Sequence, residues 1–110
     1  AIPGGYVSRE HSPAETAIKE AQEEVGLTPR LDRQFHTYGA VGRDPGATNV
    51  TVVYLDYPTA DEPVANPEEV LALKWADEAT VRAMDAAGEI AFDHGLVLAD
   101  YFYLRGMLDR

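Results

Sequence analysis

Hydrophobic and polar positions repeat at helical spacing in the first quarter of the chain. Ser12 and Pro13 form a helix start, with Ser12 as the N-cap, and Glu15 completes a capping box. Gly26 is typical of the residue just after a helix. The sequence therefore predicts a helix from 13 to 25, with an apolar stripe of Ala14, Ala17, Ile18, Ala21 and Val25.

The later segments predict strands and two further helices. The run over 49–57 is rich in β-branched and aromatic residues and predicts a strand. Further strands are predicted over 31–38, a strand-like run after Thr28 and Pro29, and over 70–76, where the pattern alternates. Asp77 is a candidate N-cap for a short helix that ends near Met84, and a C-terminal helix is predicted over 92–108. The apolar residues of that last helix recur at helical spacing: Leu96, Val97, Tyr101, Leu104 and Leu108. This mixture of elements predicts an α+β fold.

Composition narrows the classes of partner. The 110 residues suit a single domain over 1–110, and the net charge of −10 argues against a nucleic-acid backbone or an anionic membrane as a partner. The chain has no cysteine, which excludes disulfides and favours the cytoplasm as its setting. The acidic charge has two readings, namely general solubility or a site that holds metal cations.

Three carboxylates share one face of the first predicted helix. Glu20, Glu23 and Glu24 stand at i, i+3 and i+4, and like charges at this spacing repel each other. One interpretation is a solvated acidic face. The other is a site for a hard cation, because clustered carboxylates suit Mg²⁺ or Mn²⁺. Glu24 borders the apolar stripe, where an unpaired charge is costly, and this favours the cation.

The segment from Gly4 to Leu27 resembles the box that defines the Nudix family. With the box counted over 5–27, the family spacing is kept without insertion or gap, and the matching residues are Glu20, Glu23, Glu24, Gly26 and Leu27. The chain departs from the family pattern at His11, where the family has Glu, and at Lys19, where it has Arg. The resemblance implies an α/β/α sandwich with a mixed sheet, the loop–helix–loop of the box and a C-terminal helix.

The resemblance also implies a set of site residues. Mg²⁺ (or Mn²⁺) would be held by Glu20, Glu23, Glu24 and the backbone carbonyl of Gly4. The catalytic candidates are Glu23, Glu24, His11 and Glu10, with the identity of the general base left open, and the substrate-binding candidates are Arg43 and Lys19. These candidates also have simpler interpretations. His11 is then a drifted loop residue and Arg43 an ordinary loop charge. Asp93, near the start of the last predicted helix, is then the N-cap of that helix.

The activity implied is hydrolysis of the pyrophosphate in a nucleoside diphosphate linked to another group, as in ADP-ribose. The departures at His11 and Lys19 leave an alternative, a nucleotide-binding or structural module that has lost turnover. Family members usually have strands before the box, so we expect this chain to be incomplete at its N-terminus. An open sheet edge promotes pairing, and we expect a homodimer or pairing with another chain.

Overall fold

The computed structural model describes residues 1–70 and 72–108. Within them the elements run α1 (Pro13–Val25), β1 (Leu31–Tyr38), β2 (Thr51–Asp56), α2 (Glu78–Ala86) and α3 (His94–Leu108). The predicted α+β class is confirmed. The described part of the sheet is a two-stranded antiparallel ladder, in place of the mixed sheet expected.

Helix α1 begins and ends where the sequence predicts. Ser12 Oγ accepts the Glu15 backbone N–H at 3.1 Å, and Glu15 Oε1 accepts the Ser12 N–H at 3.0 Å. These two bonds satisfy amide groups that have no partner within the helix. Gly26 ends α1 with φ +69°, and a Cβ at that position would lie 3.2 Å from the Val64 carbonyl oxygen. Glycine is therefore required there both by the backbone conformation and by the close approach of residue 64.

Strands β1 and β2 pair from Leu31 opposite Asp56 to Tyr38 opposite Thr51, with two register irregularities. The buried residues in the described part of the chain are few: Thr16, Tyr38, Val81 and Val97. The Tyr38 hydroxyl donates to Asp100 Oδ2 of α3 at 2.8 Å, and the Phe35 ring meets the Tyr101 ring edge-on at 6.3 Å. These contacts fix α3 against β1. Burial, followed by the bond to Asp100, raises the pKa of Tyr38 far above its usual value.

Two predicted elements differ from the structure. The described residues of the predicted strand 70–76 form no strand, and Leu71 lies outside them. At the first position of this segment, the Val70 N–H donates to the Asn66 carbonyl at 2.8 Å in a turn. The predicted helix start at Phe92 is also wrong. Phe92 has φ +55°, in the left-handed region, so α3 begins at His94.

The apolar face of α3 also differs from the prediction. Val97 is buried, whereas Leu96 and Leu108, which belong to the same predicted stripe, are 55% and 68% exposed. Helix α3 carries apolar residues on most of its circumference, so their spacing alone does not select the face that packs. Of the helices that the structure describes, none is long and apolar enough to cross a membrane.

Candidate functional site

The site begins at Glu20 and Glu24, whose carboxyl groups face each other across one turn of α1. Burial is the main cause that raises the pKa of Glu24 above its usual value of 4.5. The neighbouring Glu20 carboxylate adds to this rise, and the charge of Glu69 contributes further. The pair is therefore a place where two negative charges are held together at a cost.

The glycines before α1 lie directly against this pair. The Gly4 backbone lies near enough to Glu24 to lower the pKa of its carboxyl group, partly offsetting the effect of burial. A Cβ added at Gly5 would lie 2.5 Å from the Glu20 carboxyl carbon, closer than two such atoms can come. Glycine at position 5 is thus a condition for the position of Glu20. The predicted use of the Gly4 carbonyl as a metal ligand stays a prediction.

Glu23 lies on the same helical face but has a different partner. Lys19 Nζ is 3.0 Å from Glu23 Oε1 and 3.8 Å from Glu20 Oε1, and the hydrogen bond to Glu23 is the main cause that raises the pKa of Lys19. Lys19 therefore contacts both carboxylates, which follow it in the chain. Lysine offers a point charge in place of the planar fork of arginine, so it holds the two groups less rigidly.

Glu69 is a further acidic residue near the pair, although its place beside Glu68 just before the predicted strand 70–76 favours a solvated pair of acids. The Val64 N–H donates to the Val25 carbonyl at 2.7 Å, and the Asn66 N–H donates to the Glu24 carbonyl at 3.1 Å. The turn that follows Asn66 places the charge of Glu69 where it acts on both Glu24 and Lys19. The Asn66-Pro67 dipeptide is a turn signal, but the sequence does not say where that turn docks.

The other predicted catalytic residues lie in the loop before α1. His11 Nδ1 and Ser8 Oγ are 2.9 Å apart, and Glu10 is exposed in the adjacent turn. The contact seen for His11 is local to its loop. The catalytic roles of His11 and Glu10 stay predictions.

Arg43 is largely committed to protein contacts in this structure. Its Nε and Nη2 donate to the two carboxylate oxygens of Asp93 at 2.9 and 2.8 Å, and its Nη1 donates to Thr51 Oγ1 at 2.8 Å. The Arg43 side chain is only 10% exposed. This bridge ties the loop after β1 to β2 and to the start of α3. The Asp93 carboxylate, expected to cap α3, is instead held by Arg43, and the predicted clamping of a phosphate by Arg43 stays a prediction.

The oxygen-rich cluster fits a hard divalent cation in its chemistry. Glu20 and Glu24 supply carboxylate oxygens whose mutual repulsion a cation would relieve, and Glu69 adds negative charge nearby. Within residues 1–70 and 72–108, no three acidic or histidine side chains already converge as a metal cage. The Glu23 carboxylate does not join Glu20 and Glu24 in such a cage, because it is paired with Lys19.

Comparison with known proteins places the chain in a family. The NUDIX domain family matches residues 1–100. The chain is 28% identical over 101 residues to an ADP-ribose pyrophosphatase of Methanocaldococcus jannaschii, covering 92% of this chain and 56% of that protein. It thus spans about half the length of this curated relative.

A solved structure gives the same family. The MutT/nudix family protein from Enterococcus faecalis superposes with a TM-score of 0.53 at 32% identity, covering 57% of this chain and 25% of that one. The sequence match runs through both the box and the segments that follow it. The chain therefore belongs to the Nudix family.

Proposed function

We propose that the chain forms the metal-binding part of a hydrolase that cleaves the pyrophosphate of a nucleoside diphosphate linked to another group, with an ADP-ribose-like substrate. The observation that carries this proposal is the Glu20–Glu24 pair, which is held against Gly4 and Gly5 with Glu69 nearby. The similarity to a protein named ADP-ribose pyrophosphatase supports the substrate class.

Glu20 and Glu24 would hold Mg²⁺ or Mn²⁺, with Glu23 and the Gly4 carbonyl as further ligands. When bound, the cation supplies an electrophile for the phosphate oxygens and lowers the pKa of a coordinated water. Lys19 orients Glu20 and Glu23 through the contacts already described. Addition of water across the P–O–P bridge forms two phosphate monoesters, and the proton released passes to a nearby base.

The candidates for that base are Glu24, Glu23, Glu69, His11 and Glu10. Glu24 is partly buried with a raised pKa, which makes it a better proton acceptor than an exposed carboxylate. Glu69 reaches the site from outside the helix. The variants Glu24→Gln and Glu69→Gln, each assayed over a range of pH, distinguish a metal ligand from a general base. Loss of the base also removes the limb of the pH–rate profile that reports its ionisation.

The direct test is hydrolysis of ADP-ribose in the presence of Mg²⁺ or Mn²⁺, followed as release of AMP. We expect release that is lost in Glu24→Gln and kept in Glu78→Gln, a control on α2 whose partner is Arg82. Stabilisation of the protein by the nucleotide without AMP release would support the alternative, a binding module. If neither metal nor nucleotide changes thermal stability or releases AMP, both functions are refuted.

A further inference from the structure

The beginning of the chain is attached to the start of α3. The Ile2 backbone N–H donates to His94 Nδ1 at 3.0 Å, in a partly buried contact between residues 92 positions apart. Because a backbone N–H can only donate, Nδ1 must be the unprotonated nitrogen of a neutral imidazole. His94 therefore serves here as a hydrogen-bond acceptor.

This contact lies just before the two glycines of the carboxylate pair. Gly5 leaves the space that the Glu20 carboxylate fills, and the neighbouring Gly4 backbone lies near enough to Glu24 to lower the pKa of its carboxyl group. An extended chain advances about 3.3 Å per residue, so Ile2 is within about 10 Å of both glycines along the backbone. Fixing Ile2 thus restricts where Gly4 and Gly5 can lie.

His94 is itself held in place by its neighbour. The Asp93 carboxylate accepts two hydrogen bonds from Arg43, and Arg43 also donates to Thr51 of β2. A guanidinium bound at two carboxylate oxygens has a defined geometry. The connection therefore runs from the sheet through Arg43 and Asp93 to His94, and from His94 to Ile2.

We propose that His94 is a positioning residue for the cation site: by accepting the Ile2 N–H it holds Gly4 and Gly5 against Glu24 and Glu20. The proposal rests on the proposed function. Its consequence is that loss of the acceptor weakens cation binding and turnover although His94 lies outside the carboxylate cluster.

Two substitutions at His94 separate the acceptor from the ring. In His94→Asn the side-chain oxygen can occupy the region of Nδ1 and keep an acceptor, whereas His94→Phe keeps a ring without one. We expect His94→Phe to weaken Mn²⁺ binding about tenfold, in the range found for residues that orient ligands without binding the metal. We expect His94→Asn to stay within about twofold of the parent. His36→Phe, on the exposed side of β1, is the matched control and should leave binding unchanged.

A third variant removes the donor without changing His94. Ile2→Pro lacks the backbone N–H, so it should weaken Mn²⁺ binding as His94→Phe does, and the double variant should be no weaker than either single one. Mn²⁺ binding is measured by electron paramagnetic resonance, and kcat and KM for ADP-ribose are measured in parallel. We expect kcat to fall with the affinity for Mn²⁺ at little change in KM.

The outcomes distinguish the two proposals. A parent protein that neither binds Mn²⁺ nor releases AMP refutes the proposed function, and the role of His94 with it. An active parent with unchanged His94→Phe and Ile2→Pro refutes only the role of His94. Equal weakening in His94→Phe and His94→Asn also refutes it, since the acceptor would then not be what matters. If His94→Phe does not fold, Ile2→Pro alone decides.

Discussion

At the scale of single residues, Phe92 has a backbone conformation that its side chain disfavours. Phe92 has φ +55° and is 81% exposed, so its ring gains little burial in return for left-handed backbone. The ring stands 5.6 Å from the His94 imidazole. The strain lies immediately before Asp93 and His94, the two residues that connect α3 to the rest of the molecule.

We expect Phe92→Gly to stabilise the protein by about 0.5–1 kcal/mol. Relief of the left-handed conformation is worth about 1–2 kcal/mol, and the greater freedom of glycine in the unfolded chain offsets part of it. Urea unfolding measures the difference. Phe92→Ala removes the ring but keeps the Cβ and should show no gain. Destabilisation by Phe92→Gly would mean that the ring contact with His94 outweighs the strain.

The two departures from the family box are also residue-scale features. His11 replaces a carboxylate, and Lys19 replaces a planar guanidinium beside Glu20 and Glu23. We expect the double substitution His11→Glu and Lys19→Arg to raise kcat for ADP-ribose about tenfold, because groups that orient metal ligands typically change activity by about 10–100-fold. The assay is AMP release at saturating Mg²⁺. An unchanged rate would show that neither position limits turnover.

At the scale of elements, the Arg43–Asp93 bridge joins parts of the chain that share little other packing. The two side chains are 10% and 19% exposed, and the bridge links the loop after β1, strand β2 and helix α3. Neither residue lies in a helix or strand, and nothing in the sequence indicates that the two side chains pair. The pairing depends on the tertiary contact between the loop after β1 and the start of α3.

We expect Asp93→Asn to cost roughly 2–3 kcal/mol in the free energy of unfolding, because it leaves a nearly buried guanidinium without its counter-charge. Chemical unfolding measures the loss. Arg43→Met combined with Asp93→Leu should cost less than the two single costs added together, which identifies a direct coupling. Additive costs would contradict the bridge. A rise in KM in Arg43→Met at intact stability would instead support the predicted phosphate clamp.

At the scale of the whole molecule, the first residues of the described chain are joined to the start of α3 through a titratable side chain, His94. Burial is the main cause that lowers the pKa of His94 below its usual value of 6.5. The N-terminal amino group and Arg43 lower it further, while Asp93 opposes them. The folded protein thus binds this proton less readily than the unfolded chain does.

The sign of the pH effect follows from this difference. As the pH falls below about 6.5, the unfolded chain takes up the proton first, so stability is lost from there down to the folded pKa. We expect the melting temperature of the parent to fall more steeply than that of His94→Asn between about pH 7.5 and 5.5. Parallel curves for the two proteins would contradict the assignment.

Exposed apolar side chains on the surface bear on whether the chain forms a homodimer. Large apolar side chains that are more than half exposed occur along the described chain, and four of them lie on α3. They are Tyr6, Val7, Val41, Val50, Val64, Trp75 and Phe92, and on α3 Leu96, Tyr103, Met107 and Leu108. Together with a two-stranded sheet, this supports the prediction of pairing with another copy. We expect light scattering after size exclusion to give twice the chain mass of 12.0 kDa. A single-chain mass at micromolar concentration would refute the homodimer.

Local chemistry made much of the fold predictable. The bounds of α1 and β1 were predicted to the residue. For α1 the reason is that a capping box and a glycine stop act through neighbours in sequence. Strand β2 and helix α2 were placed within two residues of their observed ends. The prediction of a strand over 70–76 was wrong. The backbone N–H of Val70 bonds to the Asn66 carbonyl in a turn.

The sequence by itself determined which carboxylates share a face of α1, because the helical repeat alone sets that relation. It also determined the family, since the spacing of the box is a property of the chain. Only the tertiary structure decided that Glu69 approaches Glu24, that Arg43 is bound by Asp93 and that His94 holds Ile2. These contacts join residues 45, 50 and 92 positions apart, and the meeting of such distant segments depends on how the elements pack.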